Sequence, residues 1–267
     1  MTSKAQIIAT IGPSSASRET LFAMIEHQVD VIRLNFSWGD HAEKAAHIEL
    51  IRQAEQKFGR RIPIVQDLPG PRVQETHGHK YDPAVLSAFT AEDKEHLRFG
   101  LRQKIDYVAL SFVGSAGDVK LLREAIKEFG GHQPIIAKIE RRAAVEAIDE
   151  IIAAADAVMI ARGDLGNEVP LEQIPFIQAS IIKKCKAAGK PVITATGMLI
   201  SMTHSTTPAR AEVTDVANDI LQGSDAVMLS DETASGKHPV AAVAMMEKIV
   251  IEAERHMGKG THFNTFT

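Results

Sequence analysis

Ala157-Val-Met-Ile-Ala-Arg-Gly-Asp-Leu-Gly-Asn-Glu168 is the stretch from which the rest of the chain can be read. Val158-Met159-Ile160 is a short apolar run suited to a strand buried on both faces. Arg-Gly-Asp-Leu-Gly then breaks the run, and Gly163 and Gly166 offer the backbone positive φ angles. Asp164 supplies a carboxylate able to hold a hard divalent cation, with amides nearby for an anion. Alone, the segment is a strand-to-helix turn with a solvated aspartate. Ile135-Ile-Ala-Lys-Ile-Glu140, at the end of the preceding strand, changes that reading, because strand period puts Lys138 and Glu140 on one face. An ammonium, two acids and a glycine turn on adjacent strand ends suit the stabilisation of a developing anion.

Apolar runs and amphipathic stretches alternate outward from this point. Strands are expected over 7–11, 31–36, 62–67, 107–112, 135–140, 158–161, 192–196 and 226–229. Helices are expected over 17–27, 41–58, 91–103, 116–129, 143–154, 171–188, 208–222 and 239–256. Thr90 and Asp93 have capping-box spacing, and Pro208 suits a first helical turn. Ile174, Ile177, Ile181 and Cys185 form one apolar stripe. Eight strand–helix units in 267 residues match a single-domain α/β fold, the (β/α)8 TIM barrel, with an open doubly wound sheet as the alternative.

Composition narrows the function. Apolar content of 45% supports a large core, and a net charge of −4 with interspersed signs argues against nucleic acid or an anionic membrane as partner. The single cysteine, Cys185, is expected to be a small core residue. No apolar run reaches membrane-spanning length, so a cytoplasmic protein is expected. One connection is unusually long: residues 68–90 show no clear element and include His77 and His79, a pair read as solvated rather than metal-binding. The barrel is expected over 1–257, followed by a tail, 258–267, either frayed or docked through Phe263 and Phe266.

In a barrel, chemistry gathers at the carboxyl ends of the strands. The second strand presents Arg33, Asn35 and Ser37 on one face, and the third ends in Asp67. Lys138 and Glu140 follow on the fifth, Arg162 and Asp164 on the sixth, Thr194 and Thr196 on the seventh, and Ser230, Asp231 and Glu232 on the eighth. Only the fourth exit reads as devoid of such chemistry.

Thr10-Ile-Gly-Pro-Ser14, Arg33-Leu-Asn-Phe-Ser37, Ala137-Lys-Ile-Glu140, Ala161-Arg-Gly-Asp-Leu-Gly166, Gly189-Lys-Pro-Val-Ile-Thr-Ala-Thr196, Pro208-Ala-Arg-Ala-Glu212 and Met228-Leu-Ser-Asp-Glu-Thr-Ala234 resemble, in order, the catalytic barrel of the pyruvate kinase family. The resemblance implies a barrel acting on phosphoenolpyruvate and pyruvate. It implies that Glu140 and Asp164 hold Mg2+ or Mn2+ and that Lys138 neutralises the phosphoryl group or the enolate. Arg33 would grip the phosphoryl group. Amides of Gly163 and Asp164, with Thr196, would bind the substrate carboxylate, and Ser230, Glu232 and Thr196 would lie on the route that protonates the enolate carbon.

The chain also departs from the family pattern. Family members of usual length insert a lid domain where residues 68–90 stand, and the resemblance ends near 257, ahead of any C-terminal regulatory domain. Trp38, Gln74 and Ser235 replace a His, an Arg and a Lys near the nucleotide. Asn35, Ser37 and Asp67 match the monovalent-cation site, but Arg72 stands where potassium-dependent members carry Glu. A basic residue there implies that K+ is not required. The expectation is phosphoryl transfer between phosphoenolpyruvate and ADP. The alternatives are a metal-dependent lyase using the pyruvate enolate, as an aldolase or oxaloacetate decarboxylase, and a non-catalytic phosphoenolpyruvate- or pyruvate-binding barrel. The family pairs its barrels through the sixth and seventh helices, so a homodimer or higher homo-oligomer is expected through 171–188 and 208–222.

Overall fold

Branched aliphatic runs too short for helices and bounded by Gly, Pro and charge become buried parallel strands. A computed structural model describes residues 2–75, 78–85, 87–258 and 261–267. In chain order the first elements are β1 (Gln6–Ile11), α1 (Arg18–Glu26), β2 (Val31–Asn35), α2 (His41–Phe58), β3 (Ile64–Leu68), β4 (Arg72–Glu75), β5 (Gly78–Tyr81) and α3 (Ala91–Arg102). There follow β6 (Tyr107–Leu110), α4 (Ala116–Glu128), β7 (Ile135–Ile139), α5 (Arg142–Glu146), α6 (Ile148–Ala154), β8 (Ala157–Ala161) and α7 (Arg162–Leu165). The last are α8 (Ile174–Ala187), β9 (Val192–Ala195), α9 (Arg210–Gln222), β10 (Ala226–Leu229), α10 (Asp231–Ala234) and α11 (Pro239–Arg255). Eight parallel strands are hydrogen-bonded in the closed order β1-β10-β9-β8-β7-β6-β3-β2, a (β/α)8 barrel rather than an open sheet. β4 and β5 form a separate antiparallel pair.

By contact density the chain divides into two compact units. The first comprises Met1–Leu34, Ala42–Ile64 and Pro191–Thr267 and carries β1, β9, β10 and nearly all of β2. Its register pairs Ile8 with Val31 and Met228, so each apolar run is buried on both faces. The tail is docked: Phe263 and Phe266 are buried, and Gln6 exchanges hydrogen bonds with the Phe266 backbone. The second unit comprises Asn35–His41 and Val65–Lys190, with β3, β6, β7 and β8 side by side. Truncating a fully buried side chain here, such as Leu110, costs about 2–5 kcal/mol.

Several local expectations are corrected. The 68–90 connection is not featureless, for it contains the β4–β5 hairpin. One apolar residue in Arg72-Val-Gln-Glu75 gives no alternation to read, and the pairing itself makes the strand. His77 and the side chains of Gln74 and His79 lie outside the described residues. Pro208 precedes its helix, because Ala209 is the cap and donates its N–H to Glu212 at 2.9 Å. The helix expected over 143–154 is divided at Ala147 into α5 and α6. On α8 the buried face is Gln178, Ile181, Ile182 and Cys185, whereas Ile174 and Ile177 are only partly covered. Gln178 enters that face as an acceptor for Arg162, at 3.4 Å. Gly163 lies within α7 and Gly166 caps its end with φ −66, and neither uses a positive φ. The Thr90–Asp93 capping box forms as expected, and Asp93 also accepts the N–H of Gly70, tying α3 to the base of the hairpin.

Candidate active site

In the second unit the polar strand ends converge on one ammonium. Lys138 Nζ lies 2.7 Å from Ser111 Oγ, 2.9 Å from Glu140 Oε1 and 3.1 Å from Asp67 Oδ1. All four side chains are buried. Alternation along β7 carries Lys138 and Glu140 to this point from one face. Ser111 Oγ also donates to Asp67 Oδ1 at 3.3 Å. Glu140 Oε2 accepts the N–H of Phe112 at 2.6 Å, and Phe112 has φ 55, a left-handed conformation costly for a bulky residue. Burial pushes the Glu140 carboxyl up, the ammonium of Lys138 pulls it down, and the negative charges of Asp164 and Asp67 push it up again. Desolvation wins.

Asp164 sits in α7, the four-residue helix that follows β8 directly. It lies within electrostatic reach of both Glu140 and Arg72. Arg72 Nη2 donates to the Ser37 carbonyl at 2.8 Å, and Asn35 Oδ1 accepts the Ser37 N–H. The guanidinium also lies 5.7 Å from the centre of the Trp38 ring, which is itself mostly exposed. Asn35, Ser37, Asp67 and Arg72 are therefore neighbours, with a fixed positive charge in the region expected to take a monovalent cation.

The first unit holds the other expected residues. Arg33, buried on β2, donates to Thr10 Oγ1 at 3.0 Å. Thr196 leaves β9 with φ 76, an outlier for a β-branched residue, and Gly197 follows at φ 71. Glu232 is fully buried, its oxygens accepting the N–H groups of Leu199 at 2.9 Å and Ser230 at 2.8 Å. Burial pushes its carboxyl up, while those backbone donors pull it down. These contacts make Glu232 a brace between the loops that carry Leu199 and Ser230.

Two residues escape the sequence reading. Ser111 and Phe112 stand at the strand exit read as barren, yet they supply a hydroxyl to Lys138 and an amide to Glu140. The signal was present in Ala109-Leu-Ser-Phe112, where one small hydroxyl ends an apolar strand.

The donor chemistry fits a divalent cation. Among the described residues no group of three or more His, Cys, Asp or Glu side chains is arranged to hold a metal by itself. Glu140 and Asp164 are instead two hard carboxylates near each other, in surroundings where acids outnumber the ammonium. Mg2+ characteristically takes one or two carboxylates and leaves its other positions to substrate and water.

The family model described as pyruvate kinase, barrel domain, matches residues 2–85 and 80–243. A pyruvate kinase of Thermococcus litoralis is 38% identical over 95% of this chain and 70% of its own length. That of Geobacillus stearothermophilus is 37% identical over 96% of this chain, and that of Mycobacterium intracellulare 34% over 95%. The chain spans 58% of the Geobacillus protein and 71% of the mycobacterial one.

Proposed function

The chain belongs to the pyruvate kinase family, and from that premise we propose that it moves a phosphoryl group from phosphoenolpyruvate to ADP. The observation that carries the proposal is the buried ammonium of Lys138 shared by Glu140, Asp67 and Ser111, with Asp164 in electrostatic reach. In the reaction a terminal oxygen of ADP attacks phosphorus, the bond to the enol oxygen breaks, and the enolate takes a proton at carbon to give pyruvate.

Each residue then has a task. Arg33 binds the phosphoryl oxygens, and Lys138 balances charge on the group in flight and on the enolate left behind. Lys138 is pre-oriented by Ser111 and Asp67, so little reorganisation is needed at the moment of reaction. The amides of Gly163 and Asp164 in the first turn of α7 bind the substrate carboxylate, aided by Thr196. Thr196, Ser230 and Glu232 line the proton route, and Glu232 also ties together the loops that carry Leu199 and Ser230. Glu140 and Asp164 would hold Mg2+ or Mn2+, which supplies Lewis-acid stabilisation of developing oxygen anions. Arg72 takes the place of a monovalent cation beside Ser37 and Asp67. Exposed Leu171 and Phe176, in and just before α8, offer an apolar patch for a second copy of the chain.

A second reading keeps the enolate and gives it a carbon electrophile or a proton in place of ADP, a lyase chemistry. Trp38, where the family pattern has a histidine near the nucleotide, favours it. Incubation with pyruvate and Mn2+ in D2O tests what both readings share, since deuterium at the methyl group reports enolisation. An ADP and phosphoenolpyruvate assay separates them. Glu140→Ala and Asp164→Ala should abolish both signals; full turnover in either variant overturns the assignment.

A further inference from the structure

The β4–β5 hairpin is joined to the acid–ammonium cluster through residues that the proposed mechanism does not use. Tyr81, paired with Arg72 across the hairpin, stacks its ring on the guanidinium of Arg141, 3.6 Å from the ring centre. That separation is short for a cation–π contact. The same ring lies 5.7 Å from that of Phe112. Arg141 Nη1 donates to the Phe112 carbonyl at 3.4 Å and fills the space beside Gly114, where an added Cβ would come within 2.8 Å of it.

Phe112 is therefore held from both sides: Glu140 accepts its N–H and Arg141 donates to its C=O. The residue before it, Ser111, supplies the hydroxyl bound to Lys138. A left-handed φ of 55 at a phenylalanine persists only where the surroundings over-determine it. Arg141 also follows Glu140 directly in sequence, so a shift of its side chain pulls on both ends of the cluster.

We propose that Arg141, clamped flat against Tyr81 of the hairpin, is a positioning residue that keeps the Ser111–Phe112 turn, and through it Glu140 and Lys138, in working geometry. The hairpin thereby acts as a seat for the catalytic cluster. This rests on the reading that Glu140 binds the divalent ion.

The test uses the full chain with Arg141→Met, Tyr81→Ala, Tyr81→Phe and, as reference, Glu140→Ala. Two quantities are read: hydrogen exchange at the Phe112 amide, and Mn2+ affinity from the free-ion paramagnetic resonance signal. Arg141→Met and Tyr81→Ala should speed Phe112 exchange and weaken Mn2+ binding, each on the order of tenfold. Tyr81→Phe should stay within about twofold of the parent, because the ring and not the hydroxyl carries the contact. Parental exchange and affinity in Tyr81→Ala, a surface change that spares the core, overturn the proposal, whether or not Arg141→Met folds. If Glu140→Ala still binds Mn2+ as the parent does, the metal reading falls, and Phe112 exchange alone then decides the coupling.

Discussion

Replacing Lys138 by Met removes one positive charge and leaves the volume nearly unchanged. It therefore separates electrostatics from packing. In the parent the ammonium is 2.9 Å from Glu140 and 3.1 Å from Asp67, whose side chains are 1% and 2% exposed. Without it, two buried acids lose their counter-charge, and breaking a buried pair from one side costs about 3–5 kcal/mol. The cost depends on pH with a definite sign. Glu140 already titrates above its ordinary 4.5, and losing the ammonium raises it further. A raised carboxyl contributes stability that is present below 4.5 and lost as pH rises through the folded value. The variant should thus lag the parent most at neutral pH and close the gap as pH falls toward 4.5. Urea unfolding at several pH values, without divalent ion, measures this directly. A loss below about 1 kcal/mol at pH 7, or a gap that is flat with pH, would refute the claim that Lys138 neutralises buried acids. Phosphoryl-transfer turnover should vanish in the same variant.

Three further outcomes follow from other parts of the molecule. Asp30, which accepts the Ile7 N–H, is pushed up to about 6 by burial, so its favourable contribution is present below 3.8 and lost as pH rises through about 6. Asp30→Asn keeps an acceptor and cannot ionise; it should gain about 3 kcal/mol over the parent at pH 8 and almost nothing at pH 3.5, read from thermal unfolding. Thr196→Gly relieves a φ of 76 and should raise stability by up to about 1 kcal/mol while turnover falls; a loss of stability would mean that the turn is not strained. Turnover in K+ should match that in tetramethylammonium at equal ionic strength, and Arg72→Glu should make it K+-dependent, because the guanidinium already fills the charge beside Ser37 and Asp67.

The barrel was legible because its physics is local. Val158-Met-Ile160 and Ile135-Ile-Ala137 are apolar runs too short for a core helix and suit a strand buried on both faces, and each is followed by a helical stripe, so alternation counts the units. Capping follows the same logic: Thr90 and Asp93 are three residues apart, and their box forms within one turn. Lys138 and Glu140 share a face by strand period, and the spacing of two brings their charged ends to 2.9 Å.

Tertiary structure decided the rest, because the deciding partners are distant in sequence. Lys138 meets Asp67 across 71 positions and Ser111 across 27, and no local pattern marks a lone serine at a strand exit as a partner. β4 became a strand only by pairing with β5, and Glu232 became a brace only once Leu199 and Ser230 presented their amides to it. Side-chain period fixes which way a residue points; what it meets there is set by chain closure, which brings remote segments together at an entropic cost that only the assembled core repays.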